Sequence, residues 1–189
     1  MTMPPTTLLL MGIQGAGKGT QGDLLSEKHG YIKLSMGDLL RAEAEKGTER
    51  GKIIEEIIGR GGLVPDEMST EMLLDEIKQL SQDQRLIIDA HPRTLPQAKL
   101  LSEGLKELQR DDWSALFLTL TEEEAIERLL ERGRHDDTLE KIQNRLEWSR
   151  NEMMPVADLF KEQNKLTEVN GLGSVDEVFQ RVEEALQLA

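Results

Sequence analysis

The stretch "TTLLLMGIQGAGKGTQ", residues 6–21, places four glycines around one lysine, Lys18, directly after an apolar run. The apolar run predicts a short buried strand, and the residues that follow Lys18 predict a helix. Gly12 and the Gly17-Lys18 pair have the spacing G-x-x-x-x-G-K, in which backbone N–H groups wrap phosphate oxygens and the lysine neutralises their charge. A flexible turn with a solvent-exposed lysine is the alternative interpretation. The strand before and the helix after favour a phosphate-binding loop.

The composition excludes several classes of partner. The chain has 189 residues with 36 acidic and 23 basic side chains, a net charge of −13, and no cysteine. General binding to nucleic acid or to an anionic membrane surface needs a basic field, so neither partner is expected. Disulfides and thiolate metal sites are excluded, and the three histidines are too scattered to predict a metal cluster. With no signal-peptide or membrane-helix pattern, we expect a soluble, cytoplasmic monomer.

Short apolar runs alternate with longer amphipathic segments along the chain, which is typical of a parallel sheet covered by helices on both faces. The runs cover residues 7–11, 85–90, 115–120 and 165–170, with a weaker candidate at 31–35. Residues 34 to about 81 hold helical segments without a strand, and the charged residues 128–137 separate two helices. We interpret these two regions as insertions into an α/β three-layer fold.

Five arginines could supply the positive charge that an anionic ligand needs in this acidic chain. A guanidinium meets phosphate bidentately and stays charged at any working pH. Each arginine alone is compatible with a surface ion pair, but together with the phosphate loop they indicate a site for several phosphates. They are Arg41, Arg93, Arg132, Arg134 and Arg145.

Seven segments, in order along the chain, resemble the motifs of the adenylate kinase and nucleoside monophosphate kinase family, short-lid type. They are "GAGKGTQ" (15–21), "LSMGDLLR" (34–41), "GGLVPDE" (61–67), "DAHPRTLPQA" (89–98), "RLLERGRHDD" (128–137), "NRLE" (144–147) and "VNGLGSVDEVF" (169–179). The resemblance implies one P-loop kinase domain over residues 1–189, with a five-stranded parallel sheet. It also implies a helical monophosphate-binding insertion at 34–64 and a minimal lid at 128–137.

The same resemblance implies reversible phosphoryl transfer from Mg-ATP to a nucleoside monophosphate, most simply AMP, giving two ADP. The donor phosphates would lie on the loop residues Gly15, Ala16, Gly17, Lys18, Gly19 and Thr20. Arg128 would stack on the donor adenine, Arg132 would touch donor phosphates, and Gly173 would approach the adenine by its backbone. Arg134 and Arg145 would bracket the moving phosphoryl group together with Lys18 and Arg93.

On the acceptor side, Arg41 and Arg93 would hold the monophosphate and Gln97 would read its base. Met36, Val64 and Ala90 would line the base pocket. Asp89, with Thr20 near it, would anchor water around Mg²⁺, although a plain strand-end cap is an alternative for Asp89. Asp136 and Asp137 would tether the closed lid or simply cap the next helix.

Several positions depart from the family pattern and leave alternatives open. Gln14 replaces the usual proline of the loop, Met36 a threonine, Ala90 a glycine and His91 an aromatic residue. Only Gly133 separates Arg132 from Arg134, so the lid is very short. A different acceptor base, or a nucleotide-binding sensor or scaffold with weak transfer activity, is therefore an alternative to AMP kinase. A small-metabolite kinase that shares only the phosphate loop would not account for the order of the other motifs.

Overall fold

The computed structural model describes residues 5–60, 62–133 and 138–188. The strands are β1 (Thr7–Gly12), β2 (Ile32–Ser35), β3 (Leu86–Asp89), β4 (Trp113–Thr119) and β5 (Leu166–Asn170). The helices are α1 (Lys18–His29), α2 (Met36–Glu45), α3 (Glu49–Gly59), α4 (Asp66–Ile77), α5 (Leu95–Glu107), α6 (Glu122–Arg132), α7 (Leu139–Trp148), α8 (Met154–Glu162) and α9 (Val175–Leu186). A five-residue π-helical turn, Ser149–Met153, joins α7 to α8. No helix in the described ranges is long and apolar enough to cross a membrane.

The five strands form one parallel sheet in the order β2-β3-β1-β4-β5. All six residues of β1 are buried, because successive side chains on a strand point to opposite faces and both faces are covered. Leu9 and Met11 belong to a core cluster shared with α4, α5 and α8. Leu8 and Leu10 belong to a second cluster shared with α1 and α9. The predicted three-layer α/β fold is confirmed.

The order of the strands determines where a ligand can bind. β1 lies between β3 and β4, so the chain leaves β1 towards one side of the sheet and later returns to the other. In open parallel sheets, ligands bind beyond the carboxyl ends of the strands at this reversal point. Gly12 ends β1 and Asp89 ends β3, and both lie there.

Helices α2 and α3 occupy the region predicted as the acceptor-binding insertion. Ile54 and Val64 pack with Met72 in a core cluster separate from those of the sheet. At the predicted lid, α6 ends at Arg132 and Gly133 closes it with φ +63°. Residues 134–137 lie outside the described ranges.

Candidate active site

The loop between β1 and α1 has the backbone geometry that phosphate binding needs. Gly15 and Gly17 have φ of +87° and +89°, the left-handed region that side chains disfavour. Gly17 caps the N-terminus of α1, where the free N–H groups and the helix dipole favour an anion. No heavy atom lies within 4 Å of the position that a Cβ on Gly17 would take. The space in front of the loop is therefore open to a ligand.

Lys18 is folded back onto its own loop. Its Nζ donates to the carbonyl oxygens of Gly12 at 2.7 Å and of Ile13 at 3.0 Å. Burial lowers the pKa of Lys18 to about 8; nearby Asp89 opposes this shift, while Arg93 reinforces it. The ammonium group of Lys18 is thus held by two neutral carbonyl oxygens, and the nearby positive charge of Arg93 disfavours its protonated form. A phosphate would be a better partner than either carbonyl.

A cleft of about 540 Å³ brings most of the predicted phosphate-handling residues together. Its lining residues come from the phosphate loop, the end of β3 and helices α6 and α7. They are Gln14, Gly15, Gly17, Lys18, Gly19, Thr20, Asp89, Ala90, Arg93, Arg128, Leu129, Arg132 and Arg145. Lys18 and four arginines therefore share one cavity in a protein whose net charge is −13.

Asp89 presents a carboxylate to this cleft. Its Oδ1 is buried and has no hydrogen-bond partner among the described residues. Burial raises the pKa of Asp89, and Lys18, Lys33 and Arg93 act in the opposite direction. Thr20 is exposed and lines the same cleft. A carboxylate and a hydroxyl that line the same cleft are a donor set that suits hydrated Mg²⁺.

The predicted adenine-side residues Arg128 and Gly173 line a second cavity of about 350 Å³ next to the cleft. Arg128 also lines the cleft, and its Nη2 donates to the Gly171 carbonyl at 3.0 Å. This contact ties α6 to the loop that precedes α9. A capping box between Ser174 and Glu177 begins α9 immediately beyond that loop. The two cavities are adjacent, since Gly15, Gly17, Thr20 and Arg128 line both of them.

The predicted acceptor residues Met36, Val64, Ala90 and Gln97 line a third cavity of about 170 Å³. Met36, Val64 and Gln97 are buried, and Ala90 has a left-handed backbone with φ +63°. Arg93 lines both this cavity and the cleft, so it lies between the two.

Both ends of the Gln97 amide already have partners. Its Oε1 accepts from the Arg93 backbone N–H at 2.7 Å, and its Nε2 donates to Asp66 Oδ1 at 2.8 Å. The Arg93 side chain is anchored as well, because its Nε donates to the Ala90 carbonyl at 2.9 Å. Gln97 and Arg93 are thus held as a unit at the boundary of the acceptor pocket and the cleft.

One predicted residue does not line the cavities, and three others lie outside the described residues. Arg41 does not line the acceptor pocket: it is exposed, and its Nη2 contacts Asp38 Oδ1 at 2.5 Å. This hydrogen bond lowers the pKa of Asp38. Arg134 lies outside the described residues, as do Asp136 and Asp137.

Three side-chain partnerships at the site were not anticipated from the sequence. Gln14 Oε1 accepts from Arg145 Nη1 at 3.2 Å. Buried His91 contacts Thr70 Oγ1 at 3.1 Å through Nε2, and burial lowers the pKa of His91 to about 3, so the ring is neutral. The third is the contact of Asp66 with Gln97 described above. Asp66 lies in the segment "GGLVPDE", and Gln14 and His91 depart from the family pattern, so all three positions stand out in the sequence. No sequence pattern indicates which side chains they contact.

Known proteins with similar sequences show the family to which this chain belongs. A family model described as "Adenylate kinase" matches residues 10–165. An adenylate kinase of Parabacteroides distasonis is 40% identical over 183 residues, covering 95% of this chain and 96% of the relative. One of Leptospira biflexa is 40% identical, covering 90% and 94%, and one of Prochlorococcus marinus is 39% identical, covering 95% and 97%. The ordered motifs, the parallel sheet and these matches agree, and the chain belongs to the adenylate kinase family of phosphotransferases.

Proposed function

We propose that this protein reversibly transfers a phosphoryl group from Mg-ATP to AMP, giving two ADP. The observation that carries the proposal is the cleft in which Lys18 and four arginines meet the phosphate loop, with one cavity on its adenine side and another on its acceptor side. The relatives named above are all adenylate kinases, which favours AMP over another acceptor and catalysis over a sensor role.

In the proposed donor site, the triphosphate lies on the loop residues 15–20 and its adenine enters the cavity between Arg128 and Gly173. Lys18 exchanges the carbonyls of Gly12 and Ile13 for phosphate oxygens. The desolvation that disfavours its charge is then offset by an anion. Arg132 also lines the cleft and adds positive charge near the donor phosphates.

In the proposed acceptor site, the AMP base enters the pocket beside Met36, Val64 and Gln97, and its phosphate meets Arg93. The amide of Gln97 is oriented by Arg93 and Asp66, so its recognition of the base depends on that orientation. Arg41 would leave Asp38 for the acceptor phosphate. The exposure of this pair supports such an exchange, since exposed ion pairs are weak.

Mg²⁺ would be held through water by Asp89 and Thr20. When bound, it neutralises charge on the bridging phosphate oxygens. Asp89 contributes a buried carboxylate oxygen that already lacks a partner in the described chain, so it can accept hydrogen bonds from metal-bound water. The nearby cations Lys18, Lys33 and Arg93 favour its ionised form.

The reaction needs no covalent nucleophile from the protein. Transfer between two nucleotides is catalysed mainly by positioning and by electrostatic stabilisation of the moving group. Lys18, Arg93 and Arg145 converge on the cleft for this purpose, and Arg134 would join them from the lid. Closure of residues 128–137 over the cleft would exclude water, which otherwise competes as acceptor. We further propose that the protein acts as a monomer in the cytoplasm, where ATP and AMP are present.

The proposal is tested by incubating the protein with Mg-ATP and, in separate reactions, AMP, dAMP, CMP, UMP, GMP or no acceptor. All nucleotides are then quantified by ion-exchange chromatography. We expect diphosphate to form with AMP and dAMP and little ADP to form without acceptor. Preference for another monophosphate would show that Met36 and Ala90 have changed the acceptor, and the absence of transfer to any acceptor would contradict the proposed function.

A further inference from the structure

Gln14, at the start of the phosphate loop, connects that loop to α7 through its side chain. Its Oε1 accepts a hydrogen bond from Arg145 Nη1 at 3.2 Å, between the loop and α7. The side chain is partly buried and lines two cavities, the 540 Å³ cleft and a small one beside it that reaches Trp148. The loop turns at its glycines, so the Gln14 side chain is not needed to build the turn.

Arg145 would benefit from such a partner. An arginine side chain has several rotatable bonds, and a guanidinium that must meet a moving phosphoryl group loses that freedom when it binds. α7 sets the position of the Arg145 backbone, while Gln14 fixes one nitrogen of its guanidinium relative to the loop. The guanidinium is therefore oriented by the same segment that would hold the donor phosphates.

The chemistry of the partner matters as much as its position. A glutamine amide accepts the hydrogen bond without placing a negative charge beside Arg145. A carboxylate at position 14 would pair with Arg145 and repel the phosphates in the cleft. An apolar side chain would leave this nitrogen without its loop partner. A neutral acceptor thus meets both requirements.

We propose that Gln14 is a positioning residue, which holds the Arg145 guanidinium over the phosphate loop in the orientation needed for phosphoryl transfer. The inference rests on the proposed function, because it assigns Arg145 to the transferring phosphate. Gln14 acts through Arg145, so removing its amide should matter only while Arg145 is present. Coupling between the two positions is the property that separates this role from a structural role in the loop.

The test is a double-mutant cycle of Gln14→Met and Arg145→Ala, with kcat and KM measured for ATP and AMP. Methionine keeps the length of the side chain and removes the amide. We expect Gln14→Met to lower kcat by about threefold to tenfold, as loss of orientation does, with KM for ATP changed less than about twofold. In the Arg145→Ala background the same substitution should change kcat by less than about 1.5-fold, because no guanidinium remains to be oriented.

Gln180→Met is the matched control, since Gln180 is exposed on α9 and its side chain donates a hydrogen bond to its helix neighbour Glu184. It should leave kcat and KM unchanged. Gln14→Ser provides a second variant, and thermal unfolding of each protein identifies any folding defect. An inactive wild-type protein would contradict the proposed function itself, whereas an active one keeps the cycle interpretable.

Two results would overturn the positioning role in an active wild-type enzyme. One is an unchanged kcat in both Gln14 variants. The other is an equal loss of kcat from Gln14→Met with and without Arg145, which would place the effect in the loop. A side-chain ¹⁵N relaxation measurement adds a readout apart from turnover: the Arg145 Nε–H signal should be more mobile in Gln14→Met than in the wild type, and equal mobility would contradict the proposal.

Discussion

No neighbouring atom of the described chain requires a glycine at position 19. Gly19 lies in the first turn of α1, and no heavy atom is within 4 Å of the position that its Cβ would take. Its φ is not in the left-handed region, so alanine fits the backbone. Glycine is unfavourable in helices. Gly19 lines the cleft, so we expect a bound phosphate to be what requires glycine here.

Replacing Gly19 with alanine should therefore separate stability from binding. We expect the free energy of unfolding to rise by up to about 1 kcal/mol, because alanine loses less backbone entropy. KM for ATP should rise by at least about tenfold, or 1.4 kcal/mol of binding, if the methyl group blocks the approach of a phosphate. Urea unfolding and steady-state kinetics measure the two effects.

Gly59→Ala is the matched control, because Gly59 ends α3 and its Cβ position is also free of neighbours. This control should gain stability without a change in KM for ATP. An unchanged KM in Gly19→Ala would show that phosphate does not approach this part of the loop.

At the scale of single residues, the sequence predicted positions better than side-chain directions. The loop glycines were predictable because the motif is local and its backbone requirement is specific. The direction of Arg41 was not, because its flexible side chain reaches the nearby carboxylate of Asp38 in preference to the pocket. The pairing of Gln97 with Asp66 joins residues 31 positions apart and needs the packing of α4 against α5.

At the scale of elements, Glu43 closes the turn between α2 and α3. It is only 4% exposed, and its carboxylate accepts from Lys46 Nζ at 2.8 Å, Thr48 Oγ1 at 3.2 Å and Arg50 Nε at 3.0 Å. Hydrogen bonds from Arg50 and Lys46 lower the pKa of Glu43 to about 2. The two helices pack closely here, since a Cβ on Gly51 would lie 2.5 Å from the Glu43 carbonyl oxygen.

The lowered pKa of Glu43 predicts a specific pH dependence of stability. The ionised carboxylate contributes fully to the free energy of unfolding above its ordinary pKa of 4.5. This contribution is lost as the pH falls towards about 2. Glu43→Gln should lower the free energy of unfolding at pH 7 by about 1–2 kcal/mol. The difference from wild type should shrink between pH 4.5 and pH 3, as measured by urea unfolding.

Glu55→Gln, at an exposed position on α3, is the control and should change stability by less than about 0.5 kcal/mol. A difference between Glu43→Gln and wild type that stays constant down to pH 3 would contradict the assigned role of the ionised carboxylate.

The strands and their parallel direction were predictable because apolar runs of strand length alternate with amphipathic segments. The π-helical turn Ser149–Met153 was not. It inserts extra backbone into an otherwise helical stretch, and helical periodicity carries no signal for that change. The turn matters to the site, since Trp148 and Ser149 line the small cavity beside Lys18.

At the scale of the whole molecule, the charge of the surface and the charge of the cleft have opposite signs. The net charge of −13 repels an anionic nucleotide at long range, whereas Lys18 and the arginines attract it inside the cleft. The Debye length falls from about 30 Å at 0.01 M salt to about 8 Å at 0.15 M. Salt in this range therefore screens the repulsion between the nucleotide and distant acidic side chains. Higher salt is needed to weaken the short-range attraction between the nucleotide and the cations of the cleft.

We expect kcat/KM for ATP to rise between ionic strengths of 0.01 and 0.15 M and to fall at higher salt. The rise should be no more than a few-fold, because only the encounter is affected. Steady-state kinetics at a series of NaCl concentrations, with free Mg²⁺ held constant, measure the profile. A continuous fall in kcat/KM from the lowest salt would mean that attraction by the cleft dominates at all distances.

The central position of β1 has a consequence for how the protein forms during synthesis. β1 pairs with β3 on one side and with β4 on the other, so its ladder is incomplete until Leu118 has been made. β1 leaves the ribosome before both of its neighbours, which follow about 80 to 110 residues later along the chain. Non-local parallel pairing is slow and leaves apolar strands exposed meanwhile. The nascent chain thus carries the strand "TLLLMG" without its two neighbours while the intervening residues are made, and the cleft beyond β1 can assemble only after β4 has been synthesised.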